Sequence, residues 1–98
     1  MGGELSTENM SEIVDSLDTI VWESNNTILQ SQVDRVFRTC GVFNKRHINQ
    51  VLSLLKMKEA KEKEKARAFR KNSVTHMDEF HTKISYRYGH MIEIIKLY

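Results

Sequence analysis

The chain has 98 residues, of which 29% are charged, with no proline and one cysteine, and its formal net charge is +2. This length allows a single domain, and a chain of this size buries only about 60 to 65% of the surface that it exposes when unfolded. A single cysteine, Cys40, excludes an intramolecular disulfide, and the sequence contains no apolar run of the roughly 18 residues that a membrane-spanning helix requires.

Charge is sorted along the chain. Residues 1–34 carry seven acidic side chains and no Lys or Arg, whereas all 15 Lys and Arg lie at Arg35 or later, against six acidic residues. Such a chain satisfies its charges by folding its acidic half on its basic half, or by pairing with a copy or another oppositely charged partner. We predict one helical domain over residues 1–98, with a flexible start (1–5), an acidic half (6–40) and a basic half (44–98).

The N-terminal residues Met1 to Ser6 fit the loose pattern M-G-x-x-x-[ST], which marks Gly2 for myristoylation. One acyl chain binds membranes only marginally, and the neighbouring residues are acidic where a basic patch would help. A lipidated membrane adaptor is therefore the third functional hypothesis. The same acidic start lacks the plan of a signal peptide, which favours an intracellular protein of the cytoplasm or nucleus.

The first predicted helix begins with Ser6 as its N-cap, where Leu5 and Met10 occupy the positions of a hydrophobic staple. Apolar residues then recur at near-heptad spacing, which predicts a docking face. These residues are Met10, Ile13, Val14, Leu17, Ile20 and Val21.

Trp22 lies on the same predicted helix but away from this apolar face, near Asp15 and Asp18. A large exposed aromatic bordered by acids is typical of an interface anchor, because tryptophan is enriched in binding hot spots. The alternative is a wider apolar face that packs Trp22 within the bundle.

Asn25 and Asn26 weaken the helix, and the sequence leaves open whether it breaks at Asn25. An apolar stripe then continues to Gly41, a typical residue for the end of a helix. With Asn44 as the next N-cap, Phe43 and Ile48 form a second hydrophobic staple.

Two helices around Gly41 also suggest a helix-turn-helix DNA reader, since polar side chains that suit base edges and phosphates follow the turn. They are Asn44, Lys45, Arg46, Asn49 and Gln50. The apolar positions that this motif needs fall on His47 and Gln50 instead. A simple helical hairpin is the preferred interpretation, and a small nucleic-acid-binding regulator is the second functional hypothesis.

Residues 56–71 alternate Lys with Glu59, Glu62 and Glu64, which predicts an exposed helix whose charged face is solvated or bridges to a partner. The alternative, which belongs to the nucleic-acid hypothesis, is that the excess Lys and Arg of this helix contact phosphates. Asn72 and Ser73 close it, and Ser73 or Thr75 caps a last helix with a continuous apolar stripe. That stripe contains Met77, Phe80, Ile84, Tyr88, Met91, Ile95 and Tyr98.

Catalytic and metal-binding patterns are missing from the sequence. The four histidines lack the spacing that would clamp an ion, and no phosphate loop or nucleophile motif is found, so we expect no enzyme activity, metal or other cofactor.

We predict an all-α protein of three or four amphipathic helices, an elongated bundle or helical hairpins with coiled-coil-like seams. The preferred function is a non-enzymatic assembly subunit, oligomeric or bound to a protein partner through helix–helix packing. The predicted contact residues are Trp22, Ile13, Leu17, Ile20, Phe80, Ile84, Met91 and Ile95.

Overall fold

A computed structural model describes residues 7–23, 27–42 and 44–98. The described part is all-α, as predicted, and contains no strand. Its helices are α1 (Thr7–Glu23), α2 (Gln30–Cys40), α3 (Lys45–Lys71) and α4 (Thr75–Ile95).

The longest elements, α3 and α4, form an antiparallel hairpin. Asn44 caps α3 as predicted, its side-chain Oδ1 accepting a hydrogen bond from the His47 amide at 3.0 Å. Asn72 ends the helix, also as predicted. The predicted cap of α4 is wrong by one residue: Thr75 is already helical, and the N-cap is Val74, whose side chain has no oxygen to accept a hydrogen bond from the first helical amides.

At the opposite end from the hairpin turn, α1 and α2 pack against the hairpin. α1 contacts the other three helices and runs in the same direction as α3, with Asp18 beside Lys58. α2 packs on α1 and α4, where the rings of Phe37 and Tyr98 meet at 5.1 Å and Tyr98 donates a hydrogen bond to Asp34. The resulting molecule is elongated, with extents of 51 × 24 × 20 Å.

One continuous core joins all four helices. Its fully covered side chains include Ile13, Leu17, Val21, Ile28, Val33, Val51, Leu55, Ile84, Met91 and Ile95. The core lies at the α1–α2 end, and the hairpin projects beyond it. Within residues 63–80 only Ala66 is buried.

The region around Gly41 corrects one prediction. Gly41 does end α2, with φ of 74° and its amide donating to the carbonyl of Phe37, a conformation that glycine adopts without steric cost. The described residues of α2 and α3 nevertheless make no close contact, so the predicted hairpin of these two helices does not form. α2 instead packs on α1 and α4, and its Val33 and Phe37 are buried in the common core.

The chain does leave the helical conformation between α1 and α2, since residues 27–29 are not helical. Asn25, the predicted point of the break, lies outside the described residues. The same holds for Gly2, for the predicted cap Ser6 with Leu5, and for Phe43 of the second staple.

Candidate functional site

Most of the predicted contact residues lie inside the molecule. Ile13, Leu17, Ile84, Met91 and Ile95 are each at most 1% exposed. Although the core of so short a chain is thin, α1 and α2 cover Ile84, Met91 and Ile95 together with the hairpin. A partner would reach these residues only if the helices separated, and their assignment as partner contacts stays a prediction.

Ile20 has an intermediate position. It is partly buried and lines an open groove between α1 and α2 together with Val36 and Arg35. Ile20 therefore offers a partner only part of its side chain.

The two aromatic residues among the predicted contacts are exposed and lie together. Trp22 at the end of α1 is 39% exposed, and Phe80 near the start of α4 is 44% exposed. Their ring centroids are 5.7 Å apart with the planes tilted by 48°, within the range of favourable aromatic contacts. We call Trp22 and Phe80 the aromatic pair.

Hydrogen bonds hold Trp22 against the hairpin. Its indole Nε1–H donates to the hydroxyl of Tyr88 at 3.0 Å, and Tyr88 in turn donates to a carboxylate oxygen of Asp18. Lys58 Nζ lies 3.8 Å from the same Asp18 oxygen. The acidic neighbour predicted to border an anchor is thus used within the molecule, to join α1 to both helices of the hairpin.

Tyr88 is held in its neutral, donating form. Burial of the hydroxyl and its hydrogen bond to Asp18 raise the pKa of Tyr88, and the bond from Trp22 opposes this only in part. Trp22 therefore donates to Tyr88, and Tyr88 donates to Asp18, at neutral pH and well above it.

A buried polar pair lies beneath the aromatic pair. His81 Nδ1 and Glu62 Oε2 form a hydrogen bond, and both side chains are less than 10% exposed. The His81 ring stacks on Phe69 at 5.4 Å and meets Phe80 edge-on at 5.2 Å. Phe80 is thus supported from below by a ring whose orientation Glu62 fixes.

Sequence reasoning missed this pair, because Glu62 stands in a run of alternating lysine and glutamate. A signal was present: Ile48, Leu55, Glu62 and Phe69 follow each other at intervals of seven residues, which places Glu62 on the core face of α3. His81 precedes Ile84 by three residues on the apolar face of α4, where a partner for it was needed.

The side chains predicted to contact nucleic acid are only partly accessible to a partner. Asn44, Lys45, Arg46 and Asn49 are exposed at the start of α3, but Gln50 is half-buried, and Asn44 caps the helix. α2 does not support α3 in the way that a helix-turn-helix requires. Contact of these residues with nucleic acid stays a prediction.

Among the residues that the structure describes, no group of three or more His, Cys, Asp or Glu could hold a metal ion, and no helix is long and apolar enough to cross a membrane. Comparison of the chain with protein-family models, curated proteins and solved structures gave no significant match. Function is therefore inferred from the surface of this molecule alone.

Proposed function

We propose that the protein is a non-enzymatic assembly subunit that associates through helix–helix packing, with the aromatic pair at the centre of the contact. The observation that carries this proposal is the exposure of Trp22 and Phe80 side by side on α1 and α4, two helices joined by the hydrogen bonds of Tyr88. Tryptophan and other large aromatics contribute most to binding when they are clustered and preorganised.

Preorganisation is supported by the bonds around the pair. Trp22 is fixed by Tyr88, and Phe80 rests on His81. Neither ring needs to lose much side-chain freedom on binding, which removes a cost of about 0.5 to 1.5 kcal/mol for each immobilised side chain.

The position of the pair suggests how a partner helix would lie. α1 ends at Glu23, one residue after Trp22, while the hairpin continues past it. Phe69 and Met77 are half-buried on this projecting part. A second helix placed beyond the end of α1 would cover the aromatic pair and extend the bundle towards the hairpin turn.

Trp22 is the only tryptophan of the chain, so its fluorescence tests the proposal directly. We expect its emission to shift to shorter wavelength and acrylamide quenching to fall as the protein is concentrated from about 1 μM to 1 mM, a range that spans weak and moderate affinities. Phe80→Ala should abolish both changes.

Met57→Ala is the matched control, because Met57 is an exposed apolar residue on α3 that does not belong to the aromatic pair. This variant should behave like the parent protein. Emission and quenching that do not depend on concentration would contradict the proposal.

A further inference from the structure

A basic groove lies on the projecting part of the hairpin. Lys63, Arg67 and Arg70 follow each other at i, i+4 and i+7 on α3, so they share one face of the helix. The opposite wall belongs to α4, and the two walls enclose a cavity of about 200 Å³. The α4 side chains that line it are Thr82, Ser85 and Tyr86.

The charge of this groove is incompletely compensated. Arg70 forms a two-pronged pair with Asp78, with N···O distances of 3.1 and 3.2 Å. Lys63 lies 3.8 Å from Glu59, and both side chains keep contact with solvent. Arg67, between them, lines the cavity and forms no ion pair with any described residue, so its positive charge is not compensated by a described carboxylate.

An acidic row with the same spacing lies on α1. Glu8, Glu12 and Asp15 also follow each other at i, i+4 and i+7, and all three are exposed. α1 contains no Lys or Arg, and no ion pair joins these three carboxylates to another described residue. Each row spans about 10 Å along its helix, which is seven residues at 1.5 Å.

The two rows do not meet within one molecule. Asp15 shares a groove with Leu54 and Lys58. Burial raises the pKa of the Cys40 thiol on α2, and the negative charge of Glu12 raises it further. The acidic row is therefore at the α1–α2 end. Lys63 comes five residues after Lys58, about 7.5 Å further along α3 and about 140° around it, which places the basic groove on another side.

We propose that the basic groove binds the acidic row of α1 from a second copy of this chain. Because two different surfaces meet, the contact is head to tail, and a pair of molecules keeps one free groove at one end and one free row at the other. Exposed ion pairs are individually weak and are screened by salt, so the association is weak and strongly salt-dependent.

This inference depends on the proposed assembly role but uses a surface other than the aromatic pair, so the two can fail separately. To isolate the groove, every protein in the test carries Phe80→Ala. One variant also has Lys63→Gln and Arg67→Gln, another has Glu8→Gln and Glu12→Gln. A control with Lys61→Gln and Lys71→Gln loses the same charge from α3 outside the groove.

Sedimentation velocity at about 0.05 M salt, where the Debye length exceeds 10 Å, then measures association. The Phe80→Ala protein and the control should form concentration-dependent oligomers that dissociate at about 0.5 M salt. The groove variant and the row variant should each bind about tenfold or more weakly and sediment as monomers, with unchanged helical circular dichroism.

A mixture of the groove variant and the row variant provides the decisive result. One keeps the acidic row and the other keeps the basic groove, so together they should form a 1:1 complex that grows no further. A Phe80→Ala protein that stays monomeric at low salt overturns the inference, as does a mixture that forms no complex. A DNA duplex retained by the Phe80→Ala monomer and released by the groove variant would show that the groove binds nucleic acid instead.

Discussion

At the scale of single residues, Trp22 combines a structural bond with an exposed face. Its indole is bonded to Tyr88, yet 39% of the side chain is open to solvent. Trp22→Ala should therefore reduce the free energy of unfolding by about 2 to 3 kcal/mol, less than the 3 to 5 kcal/mol of a fully buried aromatic. Urea denaturation measures this loss.

Trp22→Phe keeps a ring against Phe80 but loses the hydrogen bond to Tyr88. We expect it to cost about 1 kcal/mol of stability and to leave association largely intact. If Trp22→Ala changed neither stability nor association, Trp22 would have neither role.

The buried pair of Glu62 and His81 provides a second prediction. Glu62→Leu alone leaves the His81 ring nitrogen buried without its partner, and should cost about 1 to 3 kcal/mol. The double variant Glu62→Leu with His81→Phe removes both polar groups and should recover much of that loss. A double-mutant cycle by urea denaturation gives the coupling, and additive losses would contradict a direct interaction.

Tyr88 makes stability depend on pH in the alkaline range. Its pKa in the folded protein is raised above the ordinary value of 10.0, so the neutral form is stabilised by folding. This contribution is complete below about pH 10 and is lost as pH rises towards the folded-state pKa. Unfolding free energies between pH 8 and 12 should therefore decline, and less steeply in Tyr88→Phe. Equal slopes of unfolding free energy against pH in the two proteins would show that Tyr88 does not cause the decline. Both proteins keep the part of the alkaline decline that Tyr98 causes, because burial and the hydrogen bond to Asp34 raise the pKa of Tyr98 as well.

Trp22 also illustrates how much the helical periodicity of the sequence can predict. The helical pattern placed Trp22 away from the apolar face, but it left open whether the ring is exposed or packs within the bundle. Its bond to Tyr88 was not predictable, because the two residues are 66 positions apart and meet only once α1 lies on α4. Long-range polar pairs of this kind depend on tertiary packing, which a single sequence does not specify.

At the scale of the helices, two glycines have opposite roles. Gly41 has φ of 74°, where a Cβ atom is strained, so Gly41→Ala should lower stability by about 1 kcal/mol. Gly89 lies inside α4, where glycine costs about 0.5 to 1 kcal/mol relative to alanine.

A Cβ atom at Gly89 would come within 2.8 Å of Glu59 Oε2. That oxygen is the end of a flexible, partly exposed side chain, and it can move aside. Gly89→Ala should therefore raise the melting temperature while Gly41→Ala lowers it, as thermal denaturation will show. A lower melting temperature for Gly89→Ala would mean that the Glu59 carboxylate is fixed in place.

Helix ends were predictable where one residue determines them. Gly41 and Asn44 end and begin helices as expected, because the left-handed conformation and the capping oxygen are local properties. The packing of α2 was not predictable: the short turn at Gly41 suggested a hairpin with α3, but the buried side chains of α2 find their partners on α1 and α4. Burial of apolar surface outweighs the proximity in sequence of two helices.

At the scale of the whole molecule, only some side chains of the acidic half form contacts with the basic half. Asp18 approaches Lys58, and Asp34 bonds to Tyr98, so the acidic half does fold onto the basic half. Glu8, Glu12 and Asp15 keep no such partner among the described residues, and Arg67 likewise. The elongated all-α architecture was predicted correctly, whereas the closing of its apolar seam within one chain was not.

Sedimentation equilibrium of the unmodified protein at low and at high salt measures whether the chain assembles through both surfaces. We expect a mass above that of the monomer at both salt concentrations, larger at about 0.05 M than at about 0.5 M, because the apolar contact resists salt and the ionic contact does not. Phe80→Ala should remove the association that persists at high salt. A compact monomer at every salt and protein concentration would show that neither surface mediates self-association.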